Sequence, residues 1–272
     1  MTGMRRPEQV PAAGPDLLVA LDVDGTIVGH DGSLSGRVRD AVVELDRRGA
    51  HVVLATGRGI VSAAPIAQEL SLADTRMMVC SNGAVVSDVA GRIVDVTTFD
   101  PGPVLRALHR ELPEALFLVE DRYQRRFVTD YFPPGELQGD LIKRPIHDMV
   151  DLEACRVTLR APGMGAQDMH DVIERAGLQS VQYAVGWTAW LDVGPEGVSK
   201  ARGLERVRTD LGVAAAHTVA VGDGSNDWEM FDWASWSVAM GQSLPETIAR
   251  AGAVTGPVQE DGLAQVLEAL LD

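Results

Sequence analysis

The segment Asp22-Val23-Asp24-Gly25-Thr26 sets two carboxylates two residues apart, where the apolar run Leu17-Leu18-Val19-Ala20-Leu21 ends. In such a pair one acid can attack as a nucleophile or bind a metal, while the other, beyond the turn, handles protons. Gly25 permits the sharp turn and Thr26 offers a hydroxyl to an anion or a water. A second segment, Asp223-Gly224-Ser225-Asn226-Asp227, follows another apolar run and would face its acids into the same crevice. Several carboxylates with no His or Cys beside them suit a hard cation. Mg2+ typically takes one or two carboxylates plus waters and a substrate phosphate. A calcium loop would need Glu at its twelfth position, where Ala234 stands. Thr56-Gly57-Arg58 combines a hydroxyl, an accessible backbone N–H and a helix start, which together make an anion site. The fourth piece is Lys200. Only two of the 24 basic residues are lysines, Lys143 and Lys200, so a lysine at 200 reads as a compact point charge preferred over a planar guanidinium.

Each piece falls at the carboxyl end of an apolar run or at the head of the helix that follows it. Leu17–Val23 is strand-like, and Ser35 caps an amphipathic stretch with Val38, Val42 and Leu45 on one face. His51–Ala55 and the helical pattern to Leu70 repeat the unit, and Met77–Asn82 supplies a third short strand. Buried strands alternating with helices predict an α/β fold with a Rossmann-like, doubly wound parallel sheet, whose ligands sit outside the carboxyl ends of the strands. From about Val85 the pattern turns to hairpins, first one turning at Ala90-Gly91, then strand candidates at 115–120, 125–132 and 156–161, a helix around 166–176 and two closing strands. That texture predicts an inserted α+β domain over 87–190, dividing the core into 16–86 and 191–272. Within the insert, Glu120–Arg126 reads as a solvated charge run.

The chain has 272 residues, 46% of them hydrophobic, enough for a sizeable core. Its 39 acidic residues against 24 basic ones give a net charge of -15, which repels nucleic acid and anionic membrane surfaces. The two cysteines, Cys80 and Cys155, sit in apolar runs and read as buried, reduced thiols of a cytoplasmic protein. No stretch has the length of a membrane span. Arg5-Arg6 lacks the apolar run of an export signal, so residues 1–15 read as a disordered tail.

The segments ALDVDGTI, LATGRG, CSNGA, GVSK, VGDGSNDWEM and SVAMGQS resemble, in order, the motifs of the haloacid dehalogenase (HAD) superfamily of aspartate-nucleophile phosphohydrolases, specifically the Cof-like branch with an inserted class IIB cap. The resemblance implies an enzyme, a Mg2+-dependent phosphomonoesterase acting on a small phosphorylated metabolite such as a sugar phosphate. Asp22 would form the aspartyl phosphate, with Asp24 as acid and base. Asp22, the Asp24 main-chain carbonyl, Asp223 and Asp227 would form the metal set. Thr26, Thr56, Gly57, Asn226 and Lys200 would serve the phosphoryl group, and Arg58 and Asn82 would line the entrance. Ala201 stands where the family often has Gly, and Gln242 where Asn is common. A phosphomutase and a glycosyl-phosphoglycerate phosphatase share the fold, and a catalytically silent phospho-ligand sensor would keep it. Oligomeric state is not legible in the sequence.

Overall fold

The structure is a computed structural model that describes residues 4–29, 31–73, 76–161, 164, 166–176, 182–185 and 190–272. The chain divides into two compact units, Met1–Val94 with Ser199–Asp272, and Asp95–Val198.

The first unit opens with β1 (Leu18–Leu21), α1 (Gly36–Arg47), β2 (His51–Ala55), α2 (Ile60–Glu69), β3 (Met77–Cys80), β4 (Val85–Asp88) and β5 (Ile93–Val96). The second holds α3 (Gly102–Glu111), β6 (Leu116–Asp121), β7 (Arg126–Val128), β8 (Ile142–Lys143), β9 (Ala154–Arg160), α4 (Ala166–Ala176), β10 (Gln182–Val185) and β11 (Trp190–Gly194). The chain then completes the first unit with α5 (Lys200–Leu211), β12 (Thr218–Gly222), α6 (Trp228–Trp233), β13 (Trp236–Ala239), α7 (Pro245–Arg250), β14 (Ala253–Val254) and α8 (Gly262–Leu271).

The first unit is built on one sheet in the order β14-β13-β12-β1-β2-β3-β4-β5. From β14 to β3 every pairing is parallel. β1 lies at the centre and all four of its residues are fully buried, as a parallel strand covered on both faces must be. Leu21 is in register with Leu54 of β2 and Val221 of β12, and Ala55 with Val79 of β3, so these strands end at one edge. Among the helices, α5 sends Leu204 and Val207 into the core formed by Leu18, Val53, Val79 and Ala220.

Three expectations shift. The hairpin at 85–96 extends the core sheet instead of opening the insert, because β4 pairs antiparallel with β3, Cys80 opposite Val85. An antiparallel edge on a parallel sheet needs no crossover helix, so a hairpin texture does not mark a new domain. Residues 191–194 belong to the insert: β11 pairs with β9 and its Leu191 and Val193 enter the second unit's core. The described part of the tail, residues 4–15, packs as well, with Val10 fully buried and the Ala13 N–H donating to the Leu270 carbonyl at 2.8 Å.

The second unit is a six-stranded sheet in the order β10-β11-β9-β6-β7-β8. Phe117, Val119, Val157 and Leu159 share a core with Leu105 and Leu108 of α3 and Met169 and Val172 of α4. The run Glu120–Arg126 is not uniformly solvated. Its ends are buried, Glu120 ion-paired with Arg156 at 3.0 Å, while Tyr123 at the tip is exposed. Both cysteines are buried and unbridged. No helix among the described residues is long and apolar enough to cross a membrane.

Candidate active site

The common edge of β1, β2, β3 and β12 gathers the chemistry. Asp22 follows β1 directly, tied by its N–H to the Val221 carbonyl at 3.0 Å, which places it beside the end of β12. Gly25 turns the chain away with φ +82, and a Cβ there would fall 2.1 Å from Asp223 Oδ2. The turn and the acid after β12 are therefore in direct apposition, and only glycine provides both the backbone angle and the space.

Lys200 is the first residue of α5 and is fully buried. Its ammonium donates to Asp22 Oδ1 at 2.5 Å and to Asp227 Oδ1 at 2.6 Å. Burial works against this cation, but the carboxylates of Asp22 and Asp227 outweigh burial and hold it more firmly protonated than a free lysine. The other oxygen of Asp227 accepts from the N–H groups of Asp223 and Gly224, both at 2.9 Å, so Asp227 braces the loop as well as pairing the lysine. α5 begins close to the turn after β3. Gly83, at φ +98, has room for no Cβ, which would sit 2.0 Å from the Ser199 carbonyl oxygen.

Asp22, Asp223 and Asp227 are buried and offer carboxylate oxygens within 4.8 Å of one another. Burial, reinforced by the neighbouring acids, raises Asp22 well above the usual carboxylate range. Burial and Asp227 likewise push Asp223 up to about 7. Three buried acids thus share one lysine, and the uncompensated charge is of the kind a divalent cation offsets. The donor set, oxygen throughout, fits Mg2+.

The Asp24 carboxylate lies outside this cluster. Arg58 takes it in a two-pronged pair, Nε to Oδ2 at 2.9 Å and Nη2 to Oδ1 at 2.6 Å. Arg58, expected at the substrate entrance, thus meets the proposed acid and base directly. Thr56 is buried and its hydroxyl accepts from the Arg58 N–H at 3.0 Å, ordering the turn after β2. Gly57 lies against Asn82, whose amide would be 3.3 Å from a Cβ at 57. Asn82, itself at φ +52, accepts through Oδ1 from Asn226 Nδ2 at 3.0 Å. The pieces expected to serve the phosphoryl group are therefore joined across β2, β3 and β12. Thr26 differs: it is fully buried, its hydroxyl has no protein partner among the described residues, and it lines a separate cavity of about 360 Å3 with Asp31, Ser35 and Asp261. Gln242, noted in the sequence only as a departure from Asn, donates through Nε2 to the Gly25 carbonyl at 2.6 Å. No spacing rule points to that contact, because it joins residues far apart in the chain.

The parallel strands of the core sheet end in a buried cluster of three aspartates and a lysine, and comparison with known proteins gives the class of hydrolase to which such a chain belongs. The family model for haloacid dehalogenase-like hydrolases matches residues 19–113 and 154–267. A protein of Bacillus subtilis that carries the name "Putative phosphatase YkrA" is 32% identical over 260 residues, covering 93% of this chain and 97% of its own. YitU of the same organism, named a 5-amino-6-(5-phospho-D-ribitylamino)uracil phosphatase, is 27% identical over 92% of this chain and 96% of its own. Among solved structures, the HAD subclass IIB sugar phosphatase BT4131 superposes with a TM-score of 0.78 at 20% identity, covering 93% of this chain and 98% of that one, a likeness of fold. The chain belongs to the haloacid dehalogenase-like hydrolases, and within them it is a phosphatase of the Cof-like type.

Proposed function

We propose that the protein is a Mg2+-dependent phosphomonoester hydrolase that works through an aspartyl phosphate on Asp22, with a small phosphorylated metabolite of the sugar phosphate class as substrate. The observation that carries this reading is the buried set of Asp22, Asp223, Asp227 and Lys200 at one sheet edge. Lys200 donates to Asp22 Oδ1, whose second lone pair can still take a cation. That leaves Oδ2 to attack phosphorus. As the new P–O bond forms, the bond to the leaving oxygen breaks and Asp24, having taken a proton from solvent and let go of one arm of Arg58, delivers that proton to the leaving oxygen. Asp24, now a carboxylate, takes a proton from a water that attacks the same phosphorus, the bond to Asp22 breaks, and inorganic phosphate leaves. Lys200 holds Asp22 and offsets charge on the phosphoryl oxygens, beside the Thr56, Gly57 and Asn226 groups. Asp22, Asp223 and Asp227, with the Asp24 carbonyl, would hold Mg2+, which when bound neutralises charge on the transferring group. We assign substrate selection to the inserted unit, and Asn82 to the entrance.

The sugar phosphate class is favoured by the name of the structural neighbour BT4131, a sugar phosphatase, and the name of YitU adds a phosphorylated ribityl compound as a second small substrate class. The test is phosphate release from an aryl phosphate and a panel of phosphorylated sugars, cofactors and nucleotides, with and without Mg2+, alongside Asp22→Asn. Metal-dependent release by the wild type, lost in the variant, is the expected result. Tight binding of a phosphorylated sugar without release would identify a sensor, and isomerised product without release a mutase.

A further inference from the structure

The geometry points to Gln242 as the positioning residue that sets how tightly the acid cluster holds its cation, an inference that rests on the Mg2+ reading above. Gln242 lies three residues beyond the end of β13 and uses both ends of its amide. Nε2 donates to the Gly25 carbonyl at 2.6 Å and reaches Asp223 Oδ2 at 3.5 Å, while Oε1 accepts from the Val258 N–H at 3.0 Å. One side chain thereby joins three segments distant in sequence: the turn after β1, the loop after β12 and the loop leading into α8. The first two carry the metal-set acids Asp22 and Asp223. A Cβ on Gly25 would fall 2.1 Å from Asp223 Oδ2, so the two loops are closely apposed, and the Gln242 amide ties them at that separation. The same amide nitrogen faces Asp223 Oδ2 and limits where that oxygen can sit.

Val258 anchors the other end. Held by the Val258 N–H through Oε1, the amide cannot flip to turn its oxygen towards Gly25 or Asp223 without losing a bond at each end. Hydrogen-bond partners of metal-ligating side chains commonly change metal affinity by about 10- to 100-fold when removed. Gln242 acts on the cation through Asp223 and the Gly25 turn. Asparagine, one methylene shorter, gives up one end of this bridge.

The experiment is calorimetric titration of Mg2+ into the full chain as wild type, Gln242→Met and Gln242→Asn, with melting temperatures in chelator and in Mg2+. Methionine keeps the volume and removes both hydrogen-bonding ends. The expected result is a Mg2+ affinity about tenfold weaker in Gln242→Met and intermediate in Gln242→Asn. The increment in melting temperature that Mg2+ provides shrinks in the same order, by more than the metal-free melting temperature moves. Wild-type affinity in a folded Gln242→Met overturns the inference. So does an equal fall in melting temperature with and without Mg2+ at unchanged affinity, which marks a packing role. Should Gln242→Met not fold, wild-type affinity in Gln242→Asn overturns it instead. A wild type that binds no Mg2+ but releases phosphate overturns the cation reading, and this inference with it. A wild type that binds, beside variants that bind equally, overturns this inference alone.

Discussion

Arg58 grips both oxygens of Asp24, and that pair separates two roles the arginine could have. A residue that aims the proton donor matters most when the leaving oxygen needs a proton. Arg58→Ala is therefore expected to slow an alkyl phosphate by about 10- to 100-fold, and an aryl phosphate, whose leaving oxygen needs little help, by much less. Comparable rises in KM for both substrates at unchanged kcat would instead make it a substrate contact. Asp223 supplies a second case. Its pKa is raised to about 7 by burial and Asp227, so the folded state penalises its ionised form. In metal-free protein the penalty is absent below the unfolded value near about 4, grows as pH rises to about 7 and is full above it. Asp223→Asn should thus be more stable than the metal-free wild type at pH 8, by on the order of 1 kcal/mol, with the two converging in acid and the Mg2+-dependent gain in melting temperature lost. A wild type more stable than the variant in chelator at pH 8 contradicts that electrostatic account. These acids were legible in the sequence because each closes an apolar run. The Arg58–Asp24 and Gln242–Gly25 contacts were not, since a side chain's reach across the sheet edge leaves no local pattern.

α5 carries the site by its first residue, and its placement depends on the turn after β3. The absence of a side chain at Gly83 lets the Ser199 carbonyl come within 2.0 Å of where a Cβ would stand. Gly83→Ala should push the start of α5 outward, with a loss of about 1–3 kcal/mol in stability and a fall in turnover that tracks the displaced lysine. Chemical denaturation together with kcat checks it, and a variant of wild-type stability and rate would show that the close approach is not needed. Strand ends at this scale were readable because hydrophobic runs stop where polar motifs start. The allocation of 85–96 and 191–194 between the two sheets was not readable. Val85–Asp88 is buried throughout and Trp190–Gly194 alternates, patterns shared by many strands, and which sheet edge each one joins is decided by partners distant in the chain.

Across the whole molecule, the two units have separate cores, and every proposed ligand of the cation lies in the first. Mg2+ should slow amide exchange around 22–26, 199–203 and 223–227 and leave α3 and α4 unchanged. Protection of α3 and α4 alone would place the cation elsewhere. The net charge of -15 sits well with a pocket that needs a cation and a buried lysine before it can receive an anion. The central claim is the covalent step on Asp22. It is tested most directly by exposing Asp24→Asn briefly to an aryl phosphate with Mg2+, then measuring intact mass and mapping the modified peptide. With a good leaving group the first step proceeds without the acid, while the second lacks its base, so one phosphoryl group is expected on the peptide containing Asp22, absent in the Asp22→Asn, Asp24→Asn double variant and in chelator. Phosphate release by Asp22→Asn at the wild-type rate, with no phosphorylated peptide in Asp24→Asn, would contradict the account.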